Sequence, residues 1–176
     1  MTKKYSAFLN ILRFALPIII TLLWLGFIYS NSLKTGTQSS EQSGKVHQIV
    51  NEVADKVGID EPISEKTVRK TAHFTEFAVL GFLVCADLVC FGIVTPKRKL
   101  YISCLLSLTA IPISAIFASA DELLQNFSEG RRPSVTDVLI DTSGAAAATA
   151  VFIAFFASAV FIFGKIKAKK QSKISV

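Results

Sequence analysis

Apolar and polar positions alternate along this chain in long blocks rather than in the short rhythm of a soluble domain. Four apolar runs, at about 12–29, 71–94, 100–120 and 138–164, reach the roughly 20 residues that a helix needs to cross a hydrocarbon core about 30 Å thick. Polar stretches at 31–68 and 121–137 separate them. The pattern predicts an all-α membrane protein, with four transmembrane helices in one small bundle spanning 12–164. In the first polar stretch, Val46, Ile49, Val50, Val53, Ala54 and Val57 recur at helical spacing among Lys45, Gln48, Asn51, Glu52 and Asp55, which predicts a short amphipathic helix at the outer interface. Ser39 with Gln42 has the spacing of a capping box, Gly58 is a stop, and Asp60-Glu61-Pro62-Ile63-Ser64 breaks the chain, with Ser64 an N-cap for the second long helix.

Composition agrees with the pattern: of 176 residues, 51% are hydrophobic and only 18% charged, too apolar for an ordinary soluble domain. The first apolar run follows Lys3, Lys4 and Arg13, but it is longer than a signal-peptide core of about 7–15 residues and lacks a small-residue cleavage pattern, so it reads as a retained anchor. Cys85, Cys90 and Cys104 all lie in apolar runs without metal-like spacing and read as small hydrophobes.

The net charge of +6 is concentrated in three flanks: Lys3, Lys4 and Arg13; Lys97, Arg98 and Lys99; and the tail 165–176 with Lys165, Lys167, Lys169, Lys170 and Lys173. These hold 11 of the 19 basic residues and no acid, which predicts cytoplasmic termini and places 31–68 and 121–137 outside a bacterial cytoplasmic membrane. The charge is thus a topology and lipid signal. No nucleic-acid partner is expected, and the absence of a Gly-rich phosphate loop argues against a nucleotide.

Candidate chemistry gathers at the outer ends of the helices. At 100° per residue, Arg69, His73, Glu76, Leu80, Val84 and Asp87 fall within about 80° of one another, and ionisable groups on such a stripe should face the bundle interior. His73 and Glu76 stand one turn apart and can act as a proton relay, an acid/base pair or two metal ligands, or simply pair to fix helix packing. Asp87 lies about 20 Å away by helix rise, too far to join them. Asp121, Glu122 and Gln125 project from adjacent turns, and carboxylates this close compete for ionisation unless a cation intervenes. Arg131 and Arg132, after Gly130, are the expected cations, and with Lys70 they also suit a phosphate or carboxylate ligand. Ser134 and Asp137 repeat the capping spacing, whereas Asp141, one turn deeper and followed by Gly144 and a run of alanines, should point toward His73 or an arginine. The only histidines, His47 and His73, lie on different segments, so a metal site would need mostly carboxylates; neither metal nor cofactor is expected.

Three blocks, Arg69-Lys70-x-x-His73-Phe74-x-Glu76-Phe77-x-x-Leu80-Gly81, Asp121-Glu122-x-x-Gln125-x-Phe127-x-x-Gly130-Arg131 and Asp137-Val138-x-x-Asp141-x-x-Gly144, resemble the VanZ-like bacterial membrane proteins over about 20–160. Ser39, Ser40 and Ser43 are similar to that family's first outer segment, while Phe77 and Asp141 depart from its usual tyrosine and asparagine. The resemblance implies reduced susceptibility to teicoplanin and similar lipoglycopeptides, without an established reaction. Three classes of function follow. In a binding module, Lys70, Arg131 and Arg132 hold a lipid-linked cell-wall precursor or a lipoglycopeptide, with His73, Glu76, Asp121, Glu122, Gln125, Asp137 and Asp141 ordering the pocket. In an enzyme on lipid-linked substrates, Glu76 or Glu122 is the general base and His73 its partner. In an assembly protein the polar network serves packing alone.

Overall fold

The computed structural model describes residues 2–58 and 62–172. The break expected at Asp60 and Glu61, and Lys173 of the tail, lie outside the described residues. Six helices follow in order: α1 (Thr2–Ser32), α2 (Gly36–Lys56), α3 (Glu65–Cys90), α4 (Leu100–Ser107), α5 (Ala110–Gln125) and α6 (Val135–Ser172). Four stretches are long and apolar enough to cross a membrane, Ile11–Ser32, Glu65–Cys90, Leu100–Gln125 and Val135–Lys169, and no strand occurs among the described residues.

Helix limits differ from the apolar runs where local chemistry decides. The third span is two helices, because Pro112 cannot donate to the Leu108 carbonyl and its ring crowds that group. The chain tightens there instead, with Thr109 N–H on Leu106 O (3.2 Å) and Ile111 N–H on Leu108 O (3.1 Å). α3 ends at Cys90 rather than near 94 because Gly92, at φ +71°, closes it: Gly92 N–H returns to Val89 O and Ile93 N–H to Leu88 O, both 2.9 Å. α6 continues past Gly164 through lysines and alanine that favour helix.

Capping follows the sequence at some ends and departs at others. Ser64 caps α3 by accepting from Thr67 N–H (3.2 Å), and Gly58 adopts φ +80° after α2. The capping box of α2, however, is Thr35 with Gln38 rather than Ser39 with Gln42, since the helix starts one turn earlier.

Small residues set the tightest contact. A Cβ on Gly81 would sit 2.8 Å from the Ala145 Cα and O, and one on Gly144 would run into the Phe74 carbonyl, so α3 and α6 meet nearly backbone to backbone. α1 is pinned to the bundle by side-chain hydrogen bonds at three levels. Thr21 Oγ1 donates to Asp87 Oδ2 (2.8 Å), Trp24 Nε1 to the Glu76 carbonyl (2.9 Å) and Tyr29 OH to the Phe117 carbonyl (3.4 Å). The buried core is Leu25, Ile28, Phe77, Leu80, Val84, Cys85, Ala110 and Ala118, while large apolar side chains such as Leu23 and Phe155 face outward, as lipid contact requires. α2 lies against α3 with Ala54 as its buried residue, and Val46, Ile49, Val53 and Val57 remain exposed. Asn51 fastens its far end, accepting from Ile63 N–H (2.8 Å) and donating to the Ile63 carbonyl (3.3 Å).

Candidate functional site

The C-terminal ends of α1 and α5 and the N-terminal ends of α3 and α6 converge on a polar cluster whose centre is Ser32, a residue with no role expected from the sequence. As the last residue of α1 it is 1% exposed; its hydroxyl donates to Asp121 Oδ2 (2.7 Å), and its carbonyl accepts from Ser128 Oγ (3.2 Å) and Arg131 Nη1 (3.0 Å). Ser30-Asn31-Ser32 at the end of an apolar helix was the available signal.

Several pairings differ from expectation. His73 does not bond Glu76, whose Oε1 accepts from Asn31 Nδ2 (3.0 Å); its Nδ1 lies 3.7 Å from Asp141 Oδ1, the direction expected for that acid. The close approach at Gly144 causes this, since it carries Asp141, one turn earlier on α6, against the turn of α3 that holds His73. Arg131 and Arg132 form no ion pair with Asp121 or Glu122 among the described residues. Arg131 spans from Ser32 O to Ser39 Oγ (2.7 Å), and Arg132 is exposed. Gln125 joins the two acids instead, its Nε2 donating to Asp121 Oδ2 (3.3 Å) and Glu122 Oε1 (3.0 Å). Glu122 Oε2 also accepts from Ser134 N–H (2.7 Å), so α6 is capped by a carboxylate from α5 rather than by the box of Ser134 and Asp137. Asp137 pairs with Lys70 (3.3 Å).

Two connected hollows open from this cluster. The smaller, about 100 Å³, is lined by residues including Asn31, Ser39, Arg69, His73 and Glu76; the larger, about 240 Å³, by Arg69, His73, Gln125, Arg131, Arg132 and Asp137 among others. Arg69 faces both, is exposed, and has no hydrogen bond or ion pair among the described residues. Its place on the α3 stripe was expected from the periodicity; a ligand role was not. Burial, with Arg69 close by, pushes the Arg131 guanidinium down from its ordinary value against the pull of Asp121, Glu122 and Glu76; an arginine stays cationic under such a shift. The cleft therefore presents three guanidinium groups suited to bidentate anions.

An apolar groove of about 510 Å³ between α1, α2 and α3, lined by Trp24, Val50, Ile63, Val68 and Ala72 among others, shares Val46, Val68, Ala72 and Glu76 with the smaller hollow. Deeper in, one ligand atom each from His73, Asp121 and Asp141 lie within 4.8 Å of one another.

The remaining candidates stand apart. His47 meets Asn51 on α2 (3.0 Å), and Asp87 is held by Thr21 at a lower turn of α1.

The model of the VanZ/LLP1 family matches residues 16–158, which takes in the greater part of every span and the whole cluster. The chain belongs to the VanZ/LLP1 family. No curated protein matches it, and no solved structure does. As a multi-pass VanZ/LLP1 protein it carries the three sequence blocks on α3, on α5 with the turn after it, and on the first turns of α6, the elements that build the cluster.

Proposed function

We propose that this VanZ-like protein binds an anionic, lipid-linked ligand at the outer face of the bacterial cytoplasmic membrane, with both termini cytoplasmic. One observation carries the reading: the arginine-bearing hollows run into an apolar groove through the shared wall of Val46, Val68 and Ala72, so a headgroup and its tail each meet matching chemistry. Arg69, Arg131 and Arg132 engage a phosphate or carboxylate, and the tail lies along α2 and α3. Cell-wall precursors and lipid-anchored lipoglycopeptides both have this form, and the family resemblance favours a protein that lowers susceptibility to teicoplanin-type drugs. The enzymatic alternative has less support, because both Glu122 oxygens are engaged and Glu76 is turned to Asn31.

Native mass spectrometry of the detergent-purified protein beside Arg69→Ala/Arg132→Ala tests the binding. Neither arginine has a protein hydrogen bond or ion pair among the described residues, so the variant isolates ligand contact from folding. A phosphate-bearing lipid retained by the wild type and lost from the variant is expected; identical lipid profiles refute the reading. A reporter fused after Val176 that proves accessible from outside the cell overturns the orientation.

A further inference from the structure

The deepest part of the cluster does not explain itself as a hydrogen-bond network. Asp121 and Asp141 are both 0% exposed, yet Asp121 Oδ1, Asp141 Oδ1 and Asp141 Oδ2 have no hydrogen-bond partner in the protein, and neither does His73 Nδ1. Buried carboxylate oxygens without donors are costly, and two carboxylates face to face are more so. None of the nearby cations pairs with these carboxylates among the described residues: Arg131 bonds Ser32 and Ser39, Lys70 pairs with Asp137, and Arg69 stays in the hollows. Side chains with unpartnered ligand atoms thus meet from three helices: one ligand atom from each of His73, Asp121 and Asp141 lies within 4.8 Å of the others, and His73 Nδ1 is 3.7 Å from Asp141 Oδ1.

We propose that His73, Asp121 and Asp141 bind one divalent transition-metal ion of the zinc or manganese type. Two carboxylates and a neutral imidazole balance a 2+ charge, and the imidazole favours a transition ion over magnesium or calcium. Ligands bonded at about 2.1 Å in a tetrahedral shell lie roughly 3.4 Å apart, so spacings of up to 4.8 Å shorten by about 1.4 Å at most when the ion binds. The outer support is already built: Ser32 Oγ and Gln125 Nε2 hold Asp121 Oδ2 and leave Oδ1 for the ion. His73 and Gln125 also line the larger hollow, which gives the ion a path in and leaves a coordination position facing the cleft. The site does not depend on the lipid reading, and metal content reports on it separately.

The test uses the full chain in detergent, stripped with a chelator, exposed in turn to zinc, manganese or magnesium, desalted, and analysed for metal per chain. One zinc or manganese ion is expected in the wild type, with no retained magnesium. Asp141→Asn, which preserves shape, is expected to weaken binding roughly tenfold or more, and Asp87→Asn, remote from the site, to leave it unchanged. A wild type that retains no more metal than His73→Ala/Asp141→Asn overturns the proposal. Should that variant fail to fold, cobalt on the wild type decides: visible bands of nitrogen and oxygen ligation support the site. Absence of bands, or a thiolate charge-transfer band from Cys85, Cys90 or Cys104, overturns it.

Discussion

Replacing Gly144 with alanine puts one methyl group where α3 and α6 come closest. That carbon would run into the Phe74 carbonyl oxygen and lie 3.0 Å from the Phe74 carbonyl carbon and 3.2 Å from the Ala78 nitrogen. Comfortable contacts between carbons need about 3.5–4.0 Å, and the obstructing atoms are α3 backbone, which cannot swing aside as a side chain can. The helices must part, and the next contact on the same face, Gly81 against Ala145, loosens with them. Overpacking typically costs about 1–3 kcal/mol, and a backbone obstruction belongs at the upper end, about 3 kcal/mol. At about 2–4 °C per kcal/mol for a chain of this length, the melting temperature should fall by about 6–12 °C. Trp24, the only tryptophan, donates to the Glu76 carbonyl and so reports on the bundle by its own fluorescence during a thermal scan, with circular dichroism following helix content. Gly26→Ala and Gly164→Ala are the controls, since nothing lies within 4 Å of either added carbon; helix propensity should leave them neutral or raise stability by up to about 1 kcal/mol. A Gly144→Ala melting point matching these controls would refute the account of the α3–α6 interface.

Three other perturbations probe the cluster and its frame. Glu122→Ala removes the acceptor for Ser134 N–H and Gln125, so it should cost about 1–3 kcal/mol in denaturant unfolding, with Glu122→Gln costing less; equal losses would argue against a capping role. Lys70 and Asp137 are 30% and 27% exposed, so a double-mutant cycle should give a coupling of about 1 kcal/mol or less that shrinks with salt, and a salt-independent coupling would contradict the geometry. Asn51→Ala should speed hydrogen exchange at Ile63 while leaving exchange in α3 beyond its first turns unchanged; unaltered exchange at Ile63 would show that α2 is held some other way.

The spans, the Ser64 cap and the Gly58 stop were legible because each rests on local chemistry that lipid or solvent does not override. The split of the third span was not, since an apolar run containing proline reads the same whether the helix bends or breaks. The site was legible in part. Periodicity put Arg69, His73 and Glu76 on one face of α3, and the small residues after Asp141 turned that acid toward His73 or an arginine, but which of these it meets depended on how near α6 comes. That distance follows from Gly144 and Gly81 meeting backbone, which spacing along one helix does not report. In the same way, the expected arginine–carboxylate pairs gave way to Ser32, because a helix end offers a free carbonyl that only the fold brings within reach of Arg131.

The amphipathic helix α2 forms one wall of the smaller hollow through Ser39, Gln42, Ser43 and Val46, yet it gives the core little beyond Ala54. It is fastened at both margins, by Gly36 N–H on the Glu129 carbonyl (2.9 Å) and by Asn51 on Ile63. A wall attached at its margins and nearly absent from the interior can diverge at the pace of a recognition surface while the bundle stays fixed. Grafting the stretch between Lys34 and Ile63 from another member of the family should therefore transfer ligand preference without rebuilding the membrane-spanning frame.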